Sequence, residues 1–189
     1  MSNIKGKKSA CGKCLVCESI ATGDNLDVLE IDAASNRGID DIRELREKIK
    51  LVPISLPYKV YIIDEVHMLT TEAFNALLKT LEEPPSHTVF VLATTEPHKV
   101  PETIISRCIR VDFHRATAEE LIHALKRITV GEHMTIPDDV LAEVAGAADG
   151  SFRDAAKLLE EILLENKKPS LLQVREKLGL SEYLLIDDF

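Results

Sequence analysis

Apolar residues along this 189-residue chain follow two rhythms, and the change comes near residue 114. Up to that point, short apolar runs of the buried-strand kind alternate with stretches of helical spacing. Residues 26–31 (LDVLEI), 59–63 (KVYII), 88–93 (TVFVLA) and 108–113 (CIRVDF) predict strands. Between the first two, Ile39, Ile42, Leu45 and Ile49 recur as one helical face. Phe74, Leu77, Leu78 and Leu81 form a second face, on a helix opened by Thr70 or Thr71 and stopped by Pro84-Pro85. Pro101 opens a short helix running to Arg107. Beyond 114 only helical spacing remains. Thr117 and Glu120 have capping-box spacing ahead of Leu121, Leu125 and Ile128. Val140, Leu141, Val144 and Ala148 follow Pro137-Asp138, and Gly150 stops that helix. Ser151 restarts one carrying Ala155, Leu159, Ile162 and Leu163, and a last short helix holds Leu171, Val174 and Leu178. The pattern predicts an α/β layer with a parallel sheet over 1–114, including a Cys-rich insert at 2–17. A small α-helical bundle follows over 115–178, then a tail over 179–189.

Composition narrows the class. Hydrophobic residues are 45% and charged residues 29%, as in a globular protein. No apolar run approaches the roughly 18 residues that span a bilayer. The opening Met1-Ser2-Asn3-Ile4-Lys5 has no apolar leader, so a cytoplasmic protein with no membrane partner is expected. A net charge of −9 argues against nucleic-acid binding by bulk charge, while leaving room for a local phosphate surface. Aromatics are 4% and Trp is absent, which disfavours a base-stacking platform.

The strongest local signal is Ile62-Ile63-Asp64-Glu65-Val66-His67 at a strand's end. Open α/β sheets bind ligands at that edge. One carboxylate there can hold hydrated magnesium, and the other can orient a water for attack on a phosphoryl group. A solvated acidic strand end is the plainer reading of the pair by itself. His67 reads as packing or support behind it. Cys11, Cys14 and Cys17 are spaced so that their thiolates can converge on zinc, or they are three free thiols. Cys108 reads as a separate buried thiol. Ala34-Ser35-Asn36-Arg37-Gly38 precedes a helix: Ser35 and Asn36 can cap it, and exposed amides with Arg37 could hold a phosphate.

Several motifs in order carry a wider likeness. They are Asp64 to Leu69, Phe74 to Pro85, Leu92-Ala93-Thr94-Thr95, Ser106-Arg107-Cys108 and Gly150 to Ala155. Together they resemble the clamp-loader branch of the AAA+ ATPases, over about residues 2–178. The intact Asp-Glu pair and the Arg153 segment make the chain more similar to the gamma/tau motor subunits of bacterial DNA polymerase III than to the delta-prime stator.

The resemblance implies a fold, roles and partners. The fold is an AAA+, P-loop NTPase-like sheet with a helical lid. Asp64 would hold magnesium in a Walker B pair, and Glu65 would position the attacking water. Thr95, with Thr94 as the neighbouring alternative, would be the sensor-1 hydroxyl. Arg107 would be an arginine finger acting in trans on ATP held by the adjacent subunit. Arg153 would be the sensor-2 residue that reads the ATP gamma-phosphate. Ser35, Asn36 and Arg37 would touch DNA phosphates. In the family's zinc pattern the first cysteine's place falls on Ser2, so a water, a histidine or a partner chain would have to complete a site on Cys11, Cys14 and Cys17. Implied partners are delta, delta-prime, further gamma/tau copies, the sliding clamp and primed DNA.

The family's phosphate loop, Gly-x4-Gly-Lys-Thr/Ser, does not occur in these 189 residues; Gly6-Lys7-Lys8-Ser9 only mimics its tail. The chain alone is therefore expected neither to bind ATP tightly nor to hydrolyse it. An internal strand is expected to be missing between 88–93 and 108–113, and residues 184–189 are too short for a collar domain. Two other functions fit parts of the pattern: a non-catalytic, stator-like subunit supplying Arg107 in trans, and a zinc-binding adaptor.

Overall fold

The computed structural model describes residues 10–180, in two compact units that meet in the chain at Val111 and Asp112. The first unit contains α1 (Leu15–Ala21), β1 (Val28–Asp32), α2 (Ile39–Ile49), β2 (Lys59–Asp64), α3 (Thr71–Glu82), β3 (Thr88–Leu92) and α4 (Glu102–Ile105). Its strands form one parallel sheet in the order β1-β2-β3. The register sets Asp32 beside Asp64 and Ile63 beside Leu92, so the carboxyl ends of the strands lie together.

Alternation along β2 explains how the sheet is covered. Tyr61 and Ile63 are fully buried. They join a core with Ile42, Leu45 and Ile49 of α2 and Ala73, Phe74 and Leu77 of α3. Each buried Ile, Leu or Phe side chain among them contributes about 1.5–3 kcal/mol by leaving water. Tyr61 also stacks on Phe90 of β3, with ring centroids 5.8 Å apart.

Just before β1, Asp27 is wholly buried and ties down a distant loop. Its carboxylate accepts from the N–H groups of Ile54 (2.8 Å), Ser55 (2.6 Å) and Leu56 (2.8 Å), and from the Ser55 hydroxyl (2.9 Å). Burial pushes this carboxyl up, but the three amides and the hydroxyl outweigh it and bring it down to about 2. With Asp27 committed to that loop, β1 begins at Val28 instead of Leu26.

The strand expected at 108–113 does not form. Within the described residues the sheet is β1-β2-β3, and β3 pairs only with β2. Ile109, Val111 and Phe113 are 95%, 69% and 92% exposed, and Val89 and Val91 of β3 are also exposed. Helix α1 was not foreseen; it is seven residues long and buries none of them.

The second unit is helical: α5 (Ala118–Gly131), α6 (Asp138–Ala147), α7 (Phe152–Glu165) and α8 (Leu171–Lys177). Leu121 and Leu125, Val140, Leu141 and Val144, Leu159 and Ile162, and Val174 form its core. Gly150, at φ +77°, links α6 to α7. A Cβ there would lie 2.7 Å from the Arg115 Cβ and 3.0 Å from the Ala116 carbonyl, so both conformation and space require glycine. Among the described residues no helix is long and apolar enough to cross a membrane.

Candidate functional site

The site is built where β2 and β3 end side by side. Beyond the strands their pairing continues: the Ala93 N–H donates to the Ile63 carbonyl, and the Val66 N–H to the Ala93 carbonyl, both at 2.9 Å. These bonds fix Thr94 and Thr95 against the turn that leaves β2. Asp64 is the last strand residue and is exposed. Its Oδ1 accepts the Glu65 N–H at 2.9 Å. Glu65 is left-handed, with φ 47° and ψ 44°, and opens a single 3-10 turn over Val66–Met68. A non-glycine residue in that conformation carries backbone strain, which the surrounding hydrogen bonds hold in place.

The Glu65 carboxylate is anchored through one oxygen. Its Oε2 accepts from the Thr95 hydroxyl at 3.1 Å and from the Thr95 N–H at 3.4 Å, and lies 3.2 Å from His67 Nδ1. Behind it the His67 side chain is 7% exposed, with Nε2 3.1 Å from Glu96 Oε2 and Nδ1 2.9 Å from the Thr94 hydroxyl. Lys99 bonds Glu96 at 2.8 Å, and that bond holds the Glu96 carboxyl below its ordinary value. The sequence paired Asp64 and Glu65 with Thr95, and these three lie together. Glu96 carried no motif and was missed. Its only local signal is Lys99, placed to pair with it three residues on.

Ser35, Asn36 and Arg37 lie past the end of β1. Contrary to expectation, Ser35 and Asn36 do not cap α2: its N-cap is Gly38, whose N–H bonds Asp41 Oδ2 at 3.0 Å. Both are held by Asp32 instead. The Ser35 hydroxyl donates to Asp32 Oδ2 at 2.7 Å, and the Asn36 side-chain amide to the Asp32 carbonyl at 2.9 Å. A short side-chain bond to a neighbouring carboxylate competes with capping. The Ser35 hydroxyl, and then the Ala34 amide, hold the Asp32 carboxyl below its ordinary value. Arg37 is exposed, with its guanidinium 3.8 Å from Met68 Sδ.

Arg107 follows α4 and is already engaged. It donates to Glu82 Oε1 at 2.5 Å and to the Thr103 carbonyl at 2.6 Å. Arg153 belongs to the second unit, exposed in the first turn of α7, where Ser151 caps through the Asp154 N–H. Cys108 is exposed rather than buried.

The thiol sulfurs of Cys11, Cys14 and Cys17 lie within 4.8 Å of one another, with Cys11 and Cys17 at 3.7 Å. Tetrahedral zinc with bonds of about 2.3 Å sets its sulfurs about 3.8 Å apart, so the donor set fits. The Lys13 amide, with help from the other two thiols, brings the Cys11 thiol down to about 7. Ser2, the position matched to a fourth ligand, lies outside the described residues.

A family model described as DNA polymerase III, delta subunit, matches residues 1–117. The chain is 54% identical to DNA polymerase III subunit tau of Bacillus subtilis over 153 residues, covering 81% of this chain and 27% of that one. The chain belongs to the gamma/tau family of DNA polymerase III subunits. It is also 44% identical to subunit gamma of Buchnera aphidicola from Acyrthosiphon pisum, over 90% of this chain and 47% of the relative. Against subunit tau of Escherichia coli the identity is 45%, over 81% and 24%. This gamma/tau-family chain thus spans about a quarter to a half of the length of those relatives. Among solved structures it is similar to the Thermotoga maritima RuvB Holliday junction branch migration motor, with a TM-score of 0.66 at 21% identity, over 91% of this chain and 57% of that one. That likeness concerns the fold, which is AAA+ α/β.

Proposed function

We propose that this chain is part of a clamp-loader motor subunit, which couples ATP binding and hydrolysis to placing a sliding clamp on primed DNA in the cytoplasm. The observation that carries the reading is the Glu65 carboxylate, held at the carboxyl edge of a parallel sheet by the Thr95 hydroxyl, next to an exposed Asp64. Hydrolysis of a phosphoanhydride needs a water aligned with the leaving oxygen and charge neutralised on the phosphoryl group. Glu65 orients and polarises that water, and Thr95 steadies the carboxylate. Magnesium, when bound, neutralises phosphate charge, and Asp64 offers it a hard carboxylate oxygen. Arg107 exchanges its contact with Glu82 for ATP on the adjacent subunit, and Arg153 senses the gamma-phosphate. Arg37, with Ser35 and Asn36, contacts the DNA backbone without reading bases.

These 189 residues contain no Gly-x4-Gly-Lys-Thr/Ser, so the amide cradle and lysine must come from outside them. The test is phosphate release by the clamp loader assembled with delta, delta-prime and gamma/tau copies, in the presence of clamp and primed DNA. Glu65→Gln should lower turnover by about 100-fold or more while leaving ATP bound; unchanged turnover would end the reading. The 189-residue chain alone should show none.

Zinc on Cys11, Cys14 and Cys17 would be structural, pinning the segment before β1. Purified protein should carry about one equivalent and Cys14→Ser far less. Less than about half an equivalent in the parent chain would sink the zinc assignment.

A further inference from the structure

Glu65 has more holding it than the hydroxyl that the motor reading uses. Every hydrogen bond or ion pair that its carboxylate makes among the described residues falls on Oε2. Among the described residues Oε1 has no such contact. The third partner of Oε2, after the Thr95 hydroxyl and amide, is His67 Nδ1. The His67 side chain is 7% exposed, so its ring cannot turn freely into solvent, and its far nitrogen lies 3.1 Å from Glu96 Oε2. Glu96 is itself fixed twice. Its N–H donates to the Thr94 hydroxyl at 3.0 Å, and its carboxylate bonds Lys99 at 2.8 Å, with His98 Nε2 more distant at 3.9 Å. The ring's hydrogen bond is Nδ1 with the Thr94 hydroxyl at 2.9 Å, and the Glu65 and Glu96 carboxylates stand at ion-pair distance on its two nitrogens. The chain Lys99, Glu96, His67, Glu65 therefore runs from the surface to the reacting edge through one buried ring.

We propose that His67, backed by Glu96, is a positioning residue for Glu65: it pins Oε2 so that Oε1 is the oxygen presented to the attacking water. This rests on the motor reading above. Positioning matters because a carboxylate displaced by about 1 Å loses on the order of 100-fold in rate. Glu65 is exposed to that risk, since its backbone is strained and its side chain is long.

Two measurements test this separately. In the 189-residue chain, imidazole nitrogen NMR should resolve separate Nδ1 and Nε2 signals for His67, each sensitive to its own carboxylate neighbour. Glu96→Gln should shift the Nε2 signal and Glu65→Gln the Nδ1 signal; a ring insensitive to both would overturn the clasp. In the assembled clamp loader, His67→Ala should lower kcat about 10- to 100-fold with KM for ATP within about twofold. His67→Asn, which returns an amide nitrogen near the place of Nδ1, should recover most of that loss. Glu96→Gln should give a smaller loss, of about 3- to 10-fold. A packing role would make the Asn and Ala variants equally poor, or would move KM; either result overturns the proposal, as does wild-type kcat in His67→Ala. If Glu65→Gln itself keeps turnover, the motor reading has failed, and the NMR result still stands or falls independently.

Discussion

In the helical unit, order is written over three residues at a time. Thr117 and Ser170 each accept the N–H of the residue three places on, and the side chains of Glu120 and Gln173 return a bond to the cap. Ser151 caps α7 in the same way, through the Asp154 N–H. In the α/β unit, the comparable tie joins Asp27 to backbone 27 to 29 residues away. The edge that carries Asp64 and Glu65 likewise depends on Thr95 meeting Glu65 across 30 residues. Local ties need only the right residue at the right spacing. Long-range ties exist only once a sheet has brought two loops together, and each costs loop-closure entropy before it returns any bond.

Replacing Asp27 is the strongest way to break this contrast. Asp27→Ala leaves three amides of the 54–56 loop without their acceptor, and should lower the stability of the α/β unit by roughly 2–3 kcal/mol. Hydrogen exchange would locate the loss. Protection in α2, α3 and the sheet should fall while α5 to α8 hold; an equal fall in both units would erase the distinction.

The same residue gives the contrast a pH signature. The Asp27 carboxyl is lowered from an ordinary 3.8 to about 2, so its contribution is complete at neutral pH. It fades as pH falls below about 4 and is gone below about 2. Acid unfolding monitored on the sheet should show this limb, and Asp27→Asn should remove it.

A smaller effect is expected on the other side. Thr117→Ala should cost the helical unit about 1 kcal/mol, and Thr117→Ser much less, because only the cap oxygen matters. Denaturant melts that assign the loss to the α/β unit would show that the two units are not held by separate means.

The paired carboxylates were legible because both stand at the end of an apolar run, where β2 indeed stops at Asp64. Thr95 was legible through its likeness to a known motif. Three things were not. The 108–113 segment has the composition of a strand but does not join the three-stranded sheet of the described residues, and composition cannot decide that. Ser35 and Asn36 have the chemistry of caps, yet Asp32 at the end of β1 takes both. Glu96 and Glu82 look like ordinary surface acids until the fold sets one on His67 and the other on Arg107.

What the chain's letters determined unaided were the features with a period or a fixed spacing: helical faces, capping boxes, strand cores, and the cysteines at 11, 14 and 17. These follow from backbone geometry within a few residues, so sequence carries them directly. Only the tertiary structure decided which oxygen of Glu65 is held, what backs His67, where Arg107 rests and which apolar run stays outside the sheet. Those depend on contacts between residues dozens of positions apart, whose distances are set by how α2 and α3 pack on the strands.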